Sequence, residues 1–229
     1  MEHRKLIMIT TMATLMLAMV SCSKWDDFKK YTADGETIYS GKVDSLKIMP
    51  GRLRVQLKGL LSADAKIEKI KITWNDKKDS LIFGISKTGR PETINKIFSV
   101  DEGVKNFNVQ TFDASGNASL IVTATGMVYG PKYESNLFNR PILNAEILDN
   151  GSAKIDWDTF DTSTGAKGTW ITYTTTTEKR TTVFSAIGES AAMLSNYKPN
   201  TTFSYKTIYL PVPTVIDTLY SAQESRLIQ

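Results

Sequence analysis

The chain has 229 residues, 28 of them Lys or Arg and 24 Asp or Glu, for a formal net charge of +4, with one histidine and one cysteine. Its basic residues are spread singly through alternating segments, as at Arg52, Arg54 and Lys58, which suits a solvated surface and not a nucleic-acid groove. One cysteine excludes an internal disulfide, and with His3 as the sole histidine no His or Cys zinc site can be assembled.

The chain opens with Arg4 and Lys5 and then about fifteen mostly apolar residues, 6–20, the length of a signal-peptide core and short of the roughly 20 a membrane span needs. Cys22 stands where that run stops, after Met19-Val20-Ser21. The arrangement resembles a bacterial lipobox, with Met19 in the place of the more usual leucine. The resemblance implies that residues 1–21 are removed and that Cys22 is acylated, anchoring the protein in the outer membrane. Several acyl chains are needed for that, because each buried methylene contributes about 0.8 kcal/mol and one chain holds only marginally. His3 would leave with the signal, so the mature chain would have neither an imidazole nor a free thiol. Histidine-dependent serine and cysteine triads are then excluded, and nothing calls for a metal or another cofactor.

Residues 22–35 read as a polar tether, with Trp25 suited to a membrane interface or to the first domain. Asp26 and Asp27 so soon after the cysteine resemble the surface-export signals of Bacteroidota lipoproteins. From Glu36 the periodicity is two. Leu53, Val55 and Leu57 alternate with Arg52, Arg54, Gln56 and Lys58, and Ile70, Ile72 and Trp74 repeat the pattern. Further strands are predicted over 81–85, 93–100, 106–112 and 118–127, with a hairpin turn at Asp113-Ala114-Ser115-Gly116-Asn117. A second set follows over 142–148, 153–158, 169–175, 181–185, 191–194, 202–210 and 214–221. Seven short strands in each set argue for two tandem β-sandwiches, an all-β fold with domains at 36–130 and 142–229. The turn-rich segment between them, 131–141, reads as a hinge or as a packed joint.

In the second set Leu194, Tyr197, Pro199, Thr201 and Phe203 resemble the turn between the fifth and sixth strands of fibronectin type III modules. Phe203 takes the place of the tyrosine that ties that corner, which implies that its hydrogen bond is absent. The chain also resembles an uncharacterised family of Bacteroidota lipoproteins, the domain of unknown function four-nine-nine-eight. Tyr31, Gly35-Glu36, Ile38-Tyr39, Gly41-Lys42, Pro50-Gly51-Arg52, Trp74-Asn75 and Asp79-Ser80 carry the likeness, as do Asp113, Gly116-Asn117, Ser119, Gly126, Tyr129-Gly130, Tyr133, Leu137 and Arg140. It continues more loosely through Tyr209-Leu210-Pro211 and Ile216-Asp217-Thr218. The resemblance implies a setting beside outer-membrane glycan-uptake machinery. Some relatives carry an extra carbohydrate-binding-type module, which this sequence, ending at Gln229, does not show.

Three kinds of candidate site remain. Asp156, Asp158 and Asp161 are the densest acidic cluster, but a calcium loop starting at Asp156 would put Phe160 at a ligand position and Lys167 where the closing glutamate belongs. Alternation with Ile155 and Trp157 places Asp156 and Asp158 on a solvated strand face. Among aromatics, Trp74 and Trp157 share parity with core isoleucines, whereas Trp170 lies opposite Ile171 and Tyr173, beside Thr172 and Thr174, where a sugar ring can stack. Tyr129, Tyr133 and Phe138 either line an interdomain cleft or pack one sandwich on the other. Finally, Ser45, Ser80 and Thr218 sit in acid-hydroxyl-leucine triplets that resemble Bacteroidota O-glycosylation sites. The expected protein is a non-catalytic, lipid-anchored surface protein that binds or presents polysaccharide. The alternative is a structural or adhesive module for another envelope protein.

Overall fold

A computed structural model describes residues 2–3, 39–61, 64–85 and 90–228. Cys22, Trp25 and the 22–35 tether lie outside these residues. The first seven strands are β1 (Val43–Pro50), β2 (Arg54–Leu61), β3 (Ile67–Trp74), β4 (Asp79–Gly84), β5 (Glu92–Ser99), β6 (Gly103–Asp113) and β7 (Val122–Val128). They form two antiparallel sheets, ordered β1-β2-β5 and β4-β3-β6-β7. Alternation sets the inner face: Val55 and Leu57 from one sheet meet Ile70, Ile72, Phe107 and Val109 from the other, all fully buried. Each such side chain contributes about 1.5–3 kcal/mol by leaving water. Trp74 closes one end of this core, its ring centroid 5.3 Å from that of Phe98. The predicted turn is present, with Gly116 at φ 85° and Asp113 accepting from the Asn117 amide at 2.8 Å.

The second sandwich repeats the plan. Strands β8 (Ile142–Ile147), β9 (Ala153–Trp157) and β12 (Ala191–Leu194) form one sheet in the order β12-β9-β8. Facing it are β10 (Ala166–Thr174), β11 (Arg180–Ala186) and β13 (Thr202–Tyr209), with β14 (Leu219–Tyr220) and β15 (Glu224–Leu227) both paired to β13. Both halves therefore have the seven-strand arrangement of a fibronectin type III-like sandwich, the last strand of the second being split in two. The whole of Ser40–Gln229 clusters as one compact unit.

Two expectations need correction. Residues 214–221 do not form one strand; only Leu219–Tyr220 do, because the preceding residues turn to the first sandwich instead. There the Ile216 amide donates to the Pro50 carbonyl at 2.8 Å, and the Asp217 carboxylate accepts from the Arg52 amide at 2.8 Å. Second, the corner is tied after all: the Tyr197 hydroxyl donates to the Thr201 carbonyl, from the other side of the turn, while Phe203 is wholly buried.

Of the two readings for segment 131–141, the geometry is that of packing. The segment begins with the short helix α1 (Pro131–Glu134), whose first amides are met by the Glu102 carboxylate, at 2.9 Å from Lys132 and 2.6 Å from Tyr133. Glu134 then pairs with Arg52 at 2.9 Å. Asn139 fills the break between β14 and β15: its Oδ1 accepts from the Thr207 amide (2.9 Å) and the Ser221 hydroxyl (2.6 Å), and its Nδ2 donates to the Ala222 carbonyl (2.7 Å). Arg140, 5% exposed, donates to the Ala186 and Glu189 carbonyls and lies 4.9 Å over the Trp157 ring.

Candidate functional site

Period-two alternation in β10 buries Ile171 and Tyr173 and turns Trp170, Thr172 and Thr174 outward. The strand register then decides what stands beside them. Trp170 faces Phe184 of β11 on one side and Lys206 of β13 on the other. The Trp170 and Phe184 centroids are 5.0 Å apart at 53°, and the side chains are 37% and 44% exposed. Gly168 makes this possible, because a Cβ there would come within 2.3 Å of the Phe184 ring, which therefore lies down on the sheet. Lys206 extends the row, its Nζ 4.1 Å from the centroid of Tyr220 on β14.

The next row along the strands is hydroxylic. Thr172 is opposite Thr182 on β11 and Ser204 on β13, and Ser204 is opposite Ser225 on β15. The Thr172 and Thr182 hydroxyls are 2.9 Å apart. One row further, Thr174 faces Arg180. Between these rows is a shallow depression of about 210 Å³, lined by Thr172, Thr174, Arg180, Thr202, Ser204, Gln223 and Ser225. The arrangement offers an apolar platform for the flat face of a ring and, one strand step away, hydroxyls that both donate and accept.

The other sequence-derived candidates are placed elsewhere. Tyr129 is 6% exposed and stacks on Tyr133 at 4.6 Å, in a cluster with Ala166, Tyr209 and Leu219. Of the two readings for these tyrosines, the geometry is that of packing; burial raises both hydroxyl pKa values. Phe138 is exposed, while its carbonyl accepts from the Tyr209 hydroxyl at 2.6 Å. Trp74 and Trp157 are buried, and the Trp157 indole donates to Ser185 at 3.0 Å.

The three aspartates have separate partners. Asp156 pairs with Lys154 at 2.8 Å, Asp158 accepts from the Thr159 amide, and Asp161 accepts from the Ser163 amide and hydroxyl, which lowers its pKa. Among the described residues no group of three or more His, Cys, Asp or Glu is placed to hold a metal ion. Ser45, Ser80 and Thr218 are all exposed. Ser45 has φ 51°, at an irregularity in the pairing of β1, and Thr218 follows Asp217, whose carboxylate is held by Arg54.

Phe184, Lys206 and Arg180 are members of the site that sequence reasoning missed. The signal was there in parity: Arg180, Thr182 and Phe184 alternate with the inward Thr181, Val183 and Ser185. What the sequence does not carry is the register that sets Phe184, and not Thr182, beside Trp170.

Two solved structures with a likeness to the chain consist of fibronectin type III domains. Chicken CNTN1 FN1-FN3 domains match at 13% identity over 83% of this chain and 69% of that one, with a TM-score of 0.41. A two-domain fibronectin type III segment of chicken tenascin matches at 11% identity over 82% and 99%, with a TM-score of 0.32. No curated protein matches significantly. The family model DUF4998, a domain of unknown function, matches residues 22–219, across both sandwiches and the joint, and the chain belongs to that family.

Proposed function

We propose that this chain is a non-catalytic, lipid-anchored protein of the bacterial outer-membrane surface that binds or presents extracellular glycan, as an accessory of a polysaccharide-uptake system. Trp170 carries the reading. A large indole 37% exposed on an open sheet face, with a second ring at 5.0 Å and a row of hydroxyls beside it, suits the apolar face and the polar rim of a sugar. A binding role without chemistry is supported by the dispersal of Asp156, Asp158 and Asp161 onto separate partners. The anchor is Cys22, and the 22–35 tether holds the sandwiches away from the lipid.

The test is retention in polysaccharide affinity gels. Trp170→Ala should abolish retention of a bound polysaccharide and leave the melting temperature nearly unchanged; retention that survives the substitution would sink the assignment. An adhesive role toward another envelope protein is the second reading. It draws on Leu120 and Ile121, adjacent and 60% and 51% exposed, which offer apolar contact away from the Trp170 face.

A further inference from the structure

We infer that the glycan accepted on this face is anionic, a chain bearing uronate carboxylates or sulfates; this rests on the glycan-binding reading above. The outward positions of β10, β11, β13, β14 and β15 include Arg180 and Lys206 and, among the described residues, neither aspartate nor glutamate. The chain as a whole is nearly balanced, with 24 acidic residues against 28 basic, so a face of this extent without a carboxylate is a local departure. Acidic side chains close to these strands are engaged elsewhere. Glu224 accepts from the Tyr205 hydroxyl at 2.7 Å on the inner side of the sheet, Glu178 pairs with Lys198, and Glu189 accepts from Ser185 at 2.9 Å.

Among the described residues the two cations have no acidic partner. Lys206 rests on the Tyr220 ring, and Arg180 borders the depression. They also stand at opposite ends of the site. Arg180 is opposite Thr174, four residues beyond Trp170, which at about 3.4 Å per residue is roughly 14 Å along the strand from the row of Lys206. A sugar stacked on Trp170 would put one acidic substituent at Lys206, and a later one at the Arg180 guanidinium, whose planar fork matches carboxylate and sulfate oxygens. The hydroxyls of Thr172, Ser204 and Ser225 lie between and donate to the uncharged part of the chain. Solvent-exposed cations add range and selectivity more than affinity, so the aromatic platform holds the ligand and the charges choose it.

The experiment compares binding of the purified full chain to polygalacturonate and to its fully methyl-esterified form, and to a sulfated galactan free of uronic acid and its desulfated form, over rising salt. At low salt the acidic polymer of a pair should bind tighter by about tenfold, a preference that fades as salt screens the exposed cations. Arg180→Gln and Lys206→Gln should each weaken binding severalfold without moving the melting temperature, and together erase the preference. If acidic and neutral forms bind equally and Trp170→Ala still abolishes both, the charge inference falls and the glycan reading stands. Binding of none of the four overturns both. Retention of the acidic polymers that persists in the Arg180→Gln, Lys206→Gln double variant is non-specific adsorption to a basic protein, and overturns the inference too.

Discussion

Arg54 of β2 and Asp217, 163 residues further on in the loop before β14, meet in a two-pronged ion pair, with the Arg54 Nε 2.9 Å from Asp217 Oδ2 and its Nη2 bonded to Oδ1. The same carboxylate accepts from the Arg52 amide at 2.8 Å. Gly51 lies beneath it so closely that a Cβ there would fall 2.6 Å from Asp217 Oδ2. One loop of the second sandwich is thus clamped to the turn between β1 and β2 of the first.

The clamp has a pH signature. The Arg54 hydrogen bond lowers the Asp217 pKa below its ordinary 3.8. A depressed carboxyl pKa contributes stability that is present above the unfolded value and lost as pH falls through the folded one. Asp217→Asn should therefore lower the melting temperature at neutral pH, with the difference from the parent protein shrinking below pH 4. Thermal melts from pH 7 down to pH 2.5 would check this, and a difference constant over that range would show that the charge of Asp217 plays no part.

Arg140 gives a larger effect because it is buried. Its Nη1 and Nη2 donate to the Ala186 and Glu189 carbonyls at 3.1 and 2.5 Å, and its plane covers Trp157. Hydrogen bonds from a charged donor contribute about 1.5–3 kcal/mol each, so Arg140→Met should destabilise the chain by at least about 1.5–3 kcal/mol in urea unfolding. Arg140→Lys should recover only part of that, since a lysine keeps the charge and loses both the fork and the flat contact with the indole. Full recovery by lysine would mean that charge alone matters at this position.

Most of the strand plan was legible because parity in a half-buried strand is written in the residues themselves: Val55 and Leu57 in β2, or Ile171 and Tyr173 in β10, declare their face without knowledge of any neighbour. The joint was not legible for the same reason. Arg52 and Arg54 have the parity of a solvated face, and only the return of Asp217 and Glu134 through the chain gives them partners. Val215 and Ile216 look like strand residues because contact with the first sandwich demands the same apolar character as a sheet core. The tie at the corner is not legible either, because that hydrogen bond depends on where a hydroxyl reaches, and Tyr197 and Phe203 approach the same turn from opposite ends. At the candidate site, Trp170 could be found from its own strand, whereas Phe184 and Lys206 needed the registers of two others.

Tyr205 contributes to the behaviour at high pH. It is 2% exposed, donates to Glu224 at 2.7 Å, and burial, assisted by that bond, pushes its pKa up from 10.0 to about 12. A raised folded pKa gives stability that is fully present below the unfolded value and lost as pH rises through the folded one. The chain should therefore lose urea resistance between pH 10 and pH 12, and Tyr205→Phe, which has no proton to lose, should make that part of the profile less steep while Tyr129, Tyr133, Tyr173 and Tyr209 keep their share. A profile unchanged by the substitution would assign the alkaline loss to other groups.

The proposed anchor is separable from the folded part. Acyl chains at Cys22 would hold the protein through methylenes buried in the bilayer, at about 0.8 kcal/mol each, and among the described residues the joint and both cores are built from residues 43–228. Cys22→Ala should therefore move the protein from the detergent-rich to the aqueous phase in detergent partitioning, while its melting temperature and its retention on polysaccharide gels remain those of the parent. Mass spectrometry of the amino terminus gives the complementary reading: cleavage before residue 22 and the mass of added acyl groups in the parent, neither in the variant. An intact, unacylated amino-terminal segment in the parent would refute the anchor and leave the Trp170 face to be judged on its own binding.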